Sequence, residues 1–215
     1  MKRALSVFCI FALFFSLSGC AKTESDTSLE ENYEITGTEH TQMWELKYND
    51  FLSAYNDLIS DETMKLDYLK EYDPSSSNCM LAKNGESWKI LLKVFTENEA
   101  DASWFKNEPD AAEWVGNIES AELSLFSADT KAAEENGLYV RYLITLFTPG
   151  SEKYVEDAIG LYGDPAPEAV IDAGVNQVRI GNVLYSYTSD GRFLVEPRID
   201  DWPAEEDTPD AIRPD

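Results

Sequence analysis

Residues 78–95 read NCMLAKNGESWKILLKVF, and the two apolar runs on either side of Asn84-Gly85 decide the fold class. Asn-Gly readily takes positive φ at both central positions of a type I′ turn, the turn whose twist matches that of paired antiparallel strands. Trp88, Ile90, Leu92 and Val94 recur at every second position, so one strand face is apolar and must be covered. Further hairpin punctuation lies downstream. Gly181-Asn182 and Asp190-Gly191 separate runs carrying Val178, Ile180, Val183, Tyr185, Tyr187, Phe193 and Val195, which read as paired strands.

Helical spacing flanks the strands. Trp44, Tyr48, Phe51, Tyr55 and Leu58 recur at intervals of three and four, and Met64, Tyr68 and Tyr72 continue the pattern beyond Ser60-Asp61. Residues 42–72 therefore read as a helical hairpin with an aromatic core stripe. Pro109 suits a first helical turn before Ala111, Trp114, Val115 and Ile118. Ala121, Leu123 and Leu125 alternate as a strand. Asn136-Gly137 reads as a turn into 138–147, which is apolar on both faces and so reads as a central strand. Ser151 opens a helix lined by Val155, Ala158, Ile159 and Tyr162. The expected fold is α+β: an N-terminal helical hairpin, then an antiparallel sheet with helices on one face, in the strand–helix–strand–strand–helix–strand order of ferredoxin-like domains.

The chain has 215 residues, with 17 Lys+Arg against 41 Asp+Glu and a formal net charge of −24. Such an acidic surface excludes nucleic-acid binding through a general phosphate-attracting term. Acids concentrate at both ends. Residues 21–41 carry six with one base, Lys22; residues 200–215 carry seven with three prolines and one base, Arg213. Both ends read as self-repelling coil around a folded middle.

Lys2 and Arg3 precede a 14-residue run, 4–17, that is apolar except for Ser6 and Ser16. As a helix it would span about 21 Å, short of the roughly 30 Å hydrocarbon core, so it reads as a signal-peptide core and not a membrane span. Leu17-Ser18-Gly19-Cys20 follows. The segment resembles bacterial lipoprotein precursors at all four lipobox positions. The resemblance covers the first tenth of the chain. It implies cleavage after Gly19, a diacylglycerol thioether on Cys20 and residence on the extracytoplasmic face of the cell membrane, held by fatty acyl chains. Two or more such chains make a durable anchor, where one is marginal. The chain thus divides into a signal peptide, 1–19; an acidic lipidated tether, 20–41; a single α+β domain, 42–199; and an acidic Pro-rich tail, 200–215. Cys79 is then the one unmodified thiol of the mature chain and reads as a buried, inert core residue.

Chemistry-bearing motifs are few. His40 is the single histidine, and with no Cys cluster the usual zinc sites are excluded. No EF-hand, P-loop, dinucleotide or G-x-S-x-G pattern occurs. Ser103-Trp104-Phe105-Lys106 matches S-x-x-K, but no K-T-G follows and Ser76-Ser77-Asn78 lies upstream of it. No catalytic residue, metal or cofactor is expected on these grounds. Trp104 and Phe105, adjacent aromatics in a polar stretch, are the candidate binding patch for a protein or glycan partner. Trp202, in the tail, reads as a latch or a short linear motif. The expected function is a lipid-anchored binding module. The alternatives are an extracytoplasmic hydrolase using acid/base carboxylates and a structural accessory subunit of an envelope complex.

Overall fold

The computed structural model describes residues 32–85, 88–125, 130–163, 170–172 and 174–200. The segment read as a signal peptide, Cys20 and the tail beyond Asp200, Trp202 included, lie outside them.

The protein is α+β, built on a ten-stranded sheet in which every pairing is antiparallel. Strands β3 (Leu66–Tyr68), β4 (Asn78–Lys83), β5 (Trp88–Val94) and β6 (Asn117–Ser124) form one meander. Strands β7 (Val170–Asp172), β8 (Val175–Ile180), β9 (Val183–Thr188) and β10 (Arg192–Pro197) form a second. The two join where β10 lies beside β6, giving the order β3-β4-β5-β6-β10-β9-β8-β7. This double meander replaces the expected ferredoxin-like order. The β4–β5 turn is as the sequence reads, with Asn84 at φ 51° and Gly85 at φ 71°.

Register across the sheet explains the core. One row runs Cys79, Leu92, Ala121, Val195, Tyr185, Val178, and the next Leu81, Ile90, Leu123, Phe193, Tyr187. Helices α1 (Tyr48–Asp57), α4 (Thr130–Phe147) and α5 (Glu152–Ala158) bury their apolar sides in the same cluster as these rows. Two four-residue helices, α2 (Glu97–Ala100) and α3 (Ala111–Trp114), sit in the β5–β6 connection.

The main correction to the sequence reading is α4. The segment 138–147 is the end of an 18-residue helix and not a central strand. Among its buried residues Asn136, Tyr139, Val140, Leu143, Ile144 and Phe147 fall at i, i+3, i+4, i+7, i+8 and i+11, which is one helical face, with Leu146 at its margin. Gly137 lies inside the helix and makes no turn. A Cβ there would meet the Tyr162 hydroxyl at 2.5 Å, so glycine admits that close approach.

The N-terminal helical hairpin is also corrected. Residues 42–47 form strand β2 (Gln42–Lys47), which pairs with β6 and with β1 (Ile35–Gly37). Only α1 is helical. Beyond it Asp61 accepts a hydrogen bond from the Thr63 amide to cap a short 3-10 turn, Glu62–Met64, and β3 follows. The Asn56 side chain fixes that strand by donating to the Leu66 carbonyl at 2.8 Å and accepting from the Leu66 amide at 2.9 Å. Residues 32–41, part of the segment read as tether, belong to the folded domain. The Asn32 side chain and amide donate to the carbonyls of Leu146 and Phe147, at 2.7 and 3.1 Å, satisfying groups left open at the end of α4.

The aromatic residues still serve the core. Trp44 stacks on Phe147 at 4.0 Å. The Tyr55 hydroxyl donates to the Tyr139 carbonyl at 2.9 Å, and the Tyr139 hydroxyl donates to the Met64 carbonyl at 2.8 Å.

Helix and strand make opposite demands on residues 138 and 140. In a strand they share a face; in α4 Val140 is buried and Leu138 is 41 % exposed. Leu138→Lys is therefore expected to change stability by no more than about 1 kcal/mol. Val140→Lys should cost upwards of about 3 kcal/mol or prevent folding, because it buries an unpaired charge. Urea unfolding of both variants checks this, and equal losses would contradict the helix.

Candidate functional site

Helices cover one sheet face, and the other presents a different set of side chains. Its rows run Met80, Leu91, Glu122, Leu194, Ser186, Gln177 and, next to it, Asn78, Lys93, Ser120 on one side with Glu196, Leu184, Arg179 on the other. Leu91, Leu184 and Leu194 are half-buried and join neither core cluster.

On this face β6 carries a bulge. Pairing steps from Lys93↔Ser120 to Val94↔Ile118, leaving Glu119 as the extra residue. A bulge re-aims the side chain it inserts, and Glu119 joins the face that carries Lys93. The Lys93 ammonium donates to Glu119 Oε2. Glu119 is only 7 % exposed, and its Oε1 is shut off from solvent with no hydrogen-bond partner among the described residues.

The bulge borders a cleft of about 190 Å³ lined by Glu39, His40, Gln42, Lys93, Glu119 and Glu196, with Thr41, Ser120, Pro197 and Arg198 completing its walls. β2 pairs with β6 at Ile118 and Asn117, and β10 pairs with it from Ala121 to Ser124, so the cleft lies where these two neighbours of β6 part. The β1–β2 turn forms one wall. Thr38 and Thr41 exchange backbone hydrogen bonds of 2.9 and 3.3 Å across it. Gly37, at φ 116°, is required there, because a Cβ would fall 2.1 Å from the Thr41 carbonyl oxygen. The Gln42 amide then acts as a short piece of strand. It donates to the Ile199 carbonyl at 2.8 Å and accepts from the Ile199 amide at 2.6 Å, tying the exit of β10 to the start of β2.

Electrostatics in the cleft are unbalanced. Burial pushes the Glu119 carboxyl above its usual range against the opposing Lys93 ammonium. Burial likewise raises Glu196, opposed by Arg198 and Lys93. Lys93 itself is lowered by burial but held above its usual value by its bond to Glu119 and the charges of Glu119, Glu99 and Glu196. Two carboxyls are thus displaced toward neutrality around one lysine.

The aromatic patch expected from sequence is split. Trp104 is 73 % exposed, whereas Phe105 is 3 % exposed. Phe105 meets Phe95 edge-on at 5.0 Å and Trp114 at 6.1 Å in a small second core with Met43 and Ala111. It anchors the β5–β6 connection and is removed from the candidate binding patch. Cys79 is buried, and burial pushes its thiol up to about 11, so it has little thiolate character. His40 sits exposed on the cleft's turn. Among the described residues no group of three His, Cys, Asp or Glu side chains is arranged to hold a metal ion, and no helix is long and apolar enough to cross a membrane.

Sequence reasoning did not single out Lys93, Glu119 or Glu196. The available signal was acids placed inside β patterns, at Ile118-Glu119 and Val195-Glu196, where side chains of a sheet are half-buried. No protein-family model, characterised protein or solved structure matches this chain.

A raised carboxyl pKa has a definite sign in stability. The folded state holds more protons than the unfolded chain at pH values between the ordinary glutamate pKa, about 4.3, and the raised one, so this contribution falls as pH rises through that window. Glu119→Gln removes it while leaving the half-exposed Lys93 hydrated. The variant's melting temperature should match the parent's near pH 4, exceed it increasingly as pH rises above that, and hold a constant lead once the folded-state carboxyl is ionised. Thermal unfolding across that range checks the sign; a variant that loses ground with rising pH would refute the assignment.

Proposed function

We propose that the protein is a lipid-anchored binding module on the extracytoplasmic face of the cell membrane, with its ligand held in the Glu119 cleft on the open face of the sheet. The anchor rests on the charged start, apolar run and Leu17-Ser18-Gly19-Cys20 box of the sequence. The binding role rests on one observation above all: Glu119 is a buried carboxylate with an oxygen left without a partner at the wall of a polar cleft. Burying such an acceptor unsatisfied costs about 1–3 kcal/mol, and more when it is charged, a cost that a ligand's donor would offset.

A hydrolase is the second reading, favoured by the upward displacement of both Glu119 and Glu196, since a general acid must be protonated near the working pH. It requires turnover that Glu119→Gln abolishes, whereas a binding module loses affinity only.

The experiment pairs the two halves. In whole cells Cys20→Ser should shift the protein from the membrane fraction to the soluble extracytoplasmic fraction, and mass spectrometry should find acyl chains on Cys20 of the parent. A photo-crosslinking side chain at Leu184, on the open face, should capture a ligand that Glu119→Gln no longer captures. The same group at exposed Asp57, on the helical side, should capture nothing. Membrane retention of Cys20→Ser removes the anchor, and equal capture from both positions removes the cleft.

A further inference from the structure

A count of hydrogen-bonding capacity deepens this reading and rests on the cleft being the binding site. Lys93, Gln42 and Arg198, the donors around the cleft, are each already engaged by an acceptor. Lys93 is bound to Glu119, the Gln42 amide is bound on both sides to Ile199, and the Arg198 Nε donates to Asp200 at 3.1 Å. The acceptors are not. Glu119 Oε1 has no partner, and neither Glu196 nor Glu39 makes an ion pair with a described residue. Carboxylates accept only, about four lone-pair sites each. The surplus is negative charge and lone pairs, and the ligand must bring positive charge and N–H donors.

We infer that the cleft binds an organic N–H cation, a guanidinium or primary ammonium group, between Glu119 and Glu196. A metal ion is the poorer fit, because the described residues offer no three-ligand group. A quaternary ammonium is also a poor fit: it has no N–H to give, and its usual aromatic cage is missing from the lining residues. The volume, about 190 Å³, admits one such group and a short stem. Lys93 is half exposed; its stem swings aside as the cation arrives, opening the Glu119 carboxylate. The chain's net charge of −24 concentrates cations at its surface in the first place.

The cation comes either free in solution or on the basic side chain of a partner polypeptide. Calorimetric titration of the mature lipidated chain in detergent micelles separates the cases, using ethylguanidinium, ethylammonium, tetramethylammonium and a hexapeptide with one central arginine. Ethylguanidinium or ethylammonium should bind at least tenfold more tightly than tetramethylammonium. Glu119→Gln and Glu196→Gln, on different strands, should each weaken that binding at least tenfold. Lys93→Met should strengthen it severalfold, because it removes a competing cation; a purely structural role would not produce this opposite sign. A peptide tenfold tighter than ethylguanidinium supports a polypeptide source, and equal affinity supports a free cation. Binding no tighter than tetramethylammonium, or unchanged in both Gln variants, overturns the proposal. If cation binding fails while Glu119-dependent photo-capture from Leu184 persists, the ligand class is wrong and the cleft stands.

Discussion

The burial of one face of α4 against the inner rows of the sheet is the constraint on which the rest depends. Tyr139, Val140, Leu143, Ile144 and Phe147 press on a sheet whose central inner residue is Ala121, flanked in register by Leu92 and Val195. A small side chain at the middle of that row lets an 18-residue helix lie close. Each such apolar side chain contributes about 1.5–3 kcal/mol when fully buried. Phe147 then organises the entry of the chain: Trp44 stacks on it, Phe51 and Tyr33 meet its ring, and Asn32 donates to its carbonyl. The main core lies on one side of the sheet. The opposite side carries the small cluster of Met43, Phe95, Phe105, Ala111 and Trp114, and charged residues can stand beside it at modest cost.

Glu119 departs from that freedom, because it is charged and yet nine-tenths buried. A bulge, a buried carboxylate and an orphan oxygen at one position each oppose stability, and together they mark where the sequence departs from the consistency that folding alone would favour. Lys93 offsets part of the cost through a charge-assisted hydrogen bond. The remaining imbalance is the source of the cleft's chemistry. Glu122 makes the contrast: it faces the same side one regular register step away and shows no comparable burial.

What could be read from sequence follows the range of the interaction concerned. The Asn84-Gly85, Gly181-Asn182 and Asp190-Gly191 turns are local and were legible, and with them the antiparallel, α+β character of the sheet. Residues 138–147 were not, because Leu138 and Tyr142 are apolar without being fully buried; they fill the outer positions and hide the helical spacing of 139, 140, 143, 144 and 147. In residues 44–58 the misreading had the reverse cause. Trp44 and Leu46 lie on the core face of β2 and Tyr48 begins α1, so the interval from Trp44 to Tyr48 is helical only by coincidence across a strand-to-helix junction. β3 is three residues long and owes its place to the side chain of Asn56, a contact that no local pattern announces. The cleft was illegible for the same reason. Lys93, Glu119 and Glu196 lie on β5, β6 and β10, and they meet only because β10 crosses back to β6 and the bulge turns Glu119 outward.

The N-terminal strand and turn hold the cleft closed on one side. Residues 21–31 separate Cys20 from Asn32, whose side chain and amide donate to the end of α4. The next ten residues build β1 and the turn whose Glu39, His40 and Thr41 wall the cleft. Residues 35–41 are therefore part of the site, and a chain beginning at Gln42 would lose the wall, the pairing of β1 with β2 and the cap on α4 together. The Gln42 amide would still hold Ile199, so β10 would stay in place with Glu196 and Glu119 facing open solvent. Higher dielectric would then lower both carboxyls toward the ordinary range. The cleft's electrostatics are thus set by a wall that β1 and the turn after it supply.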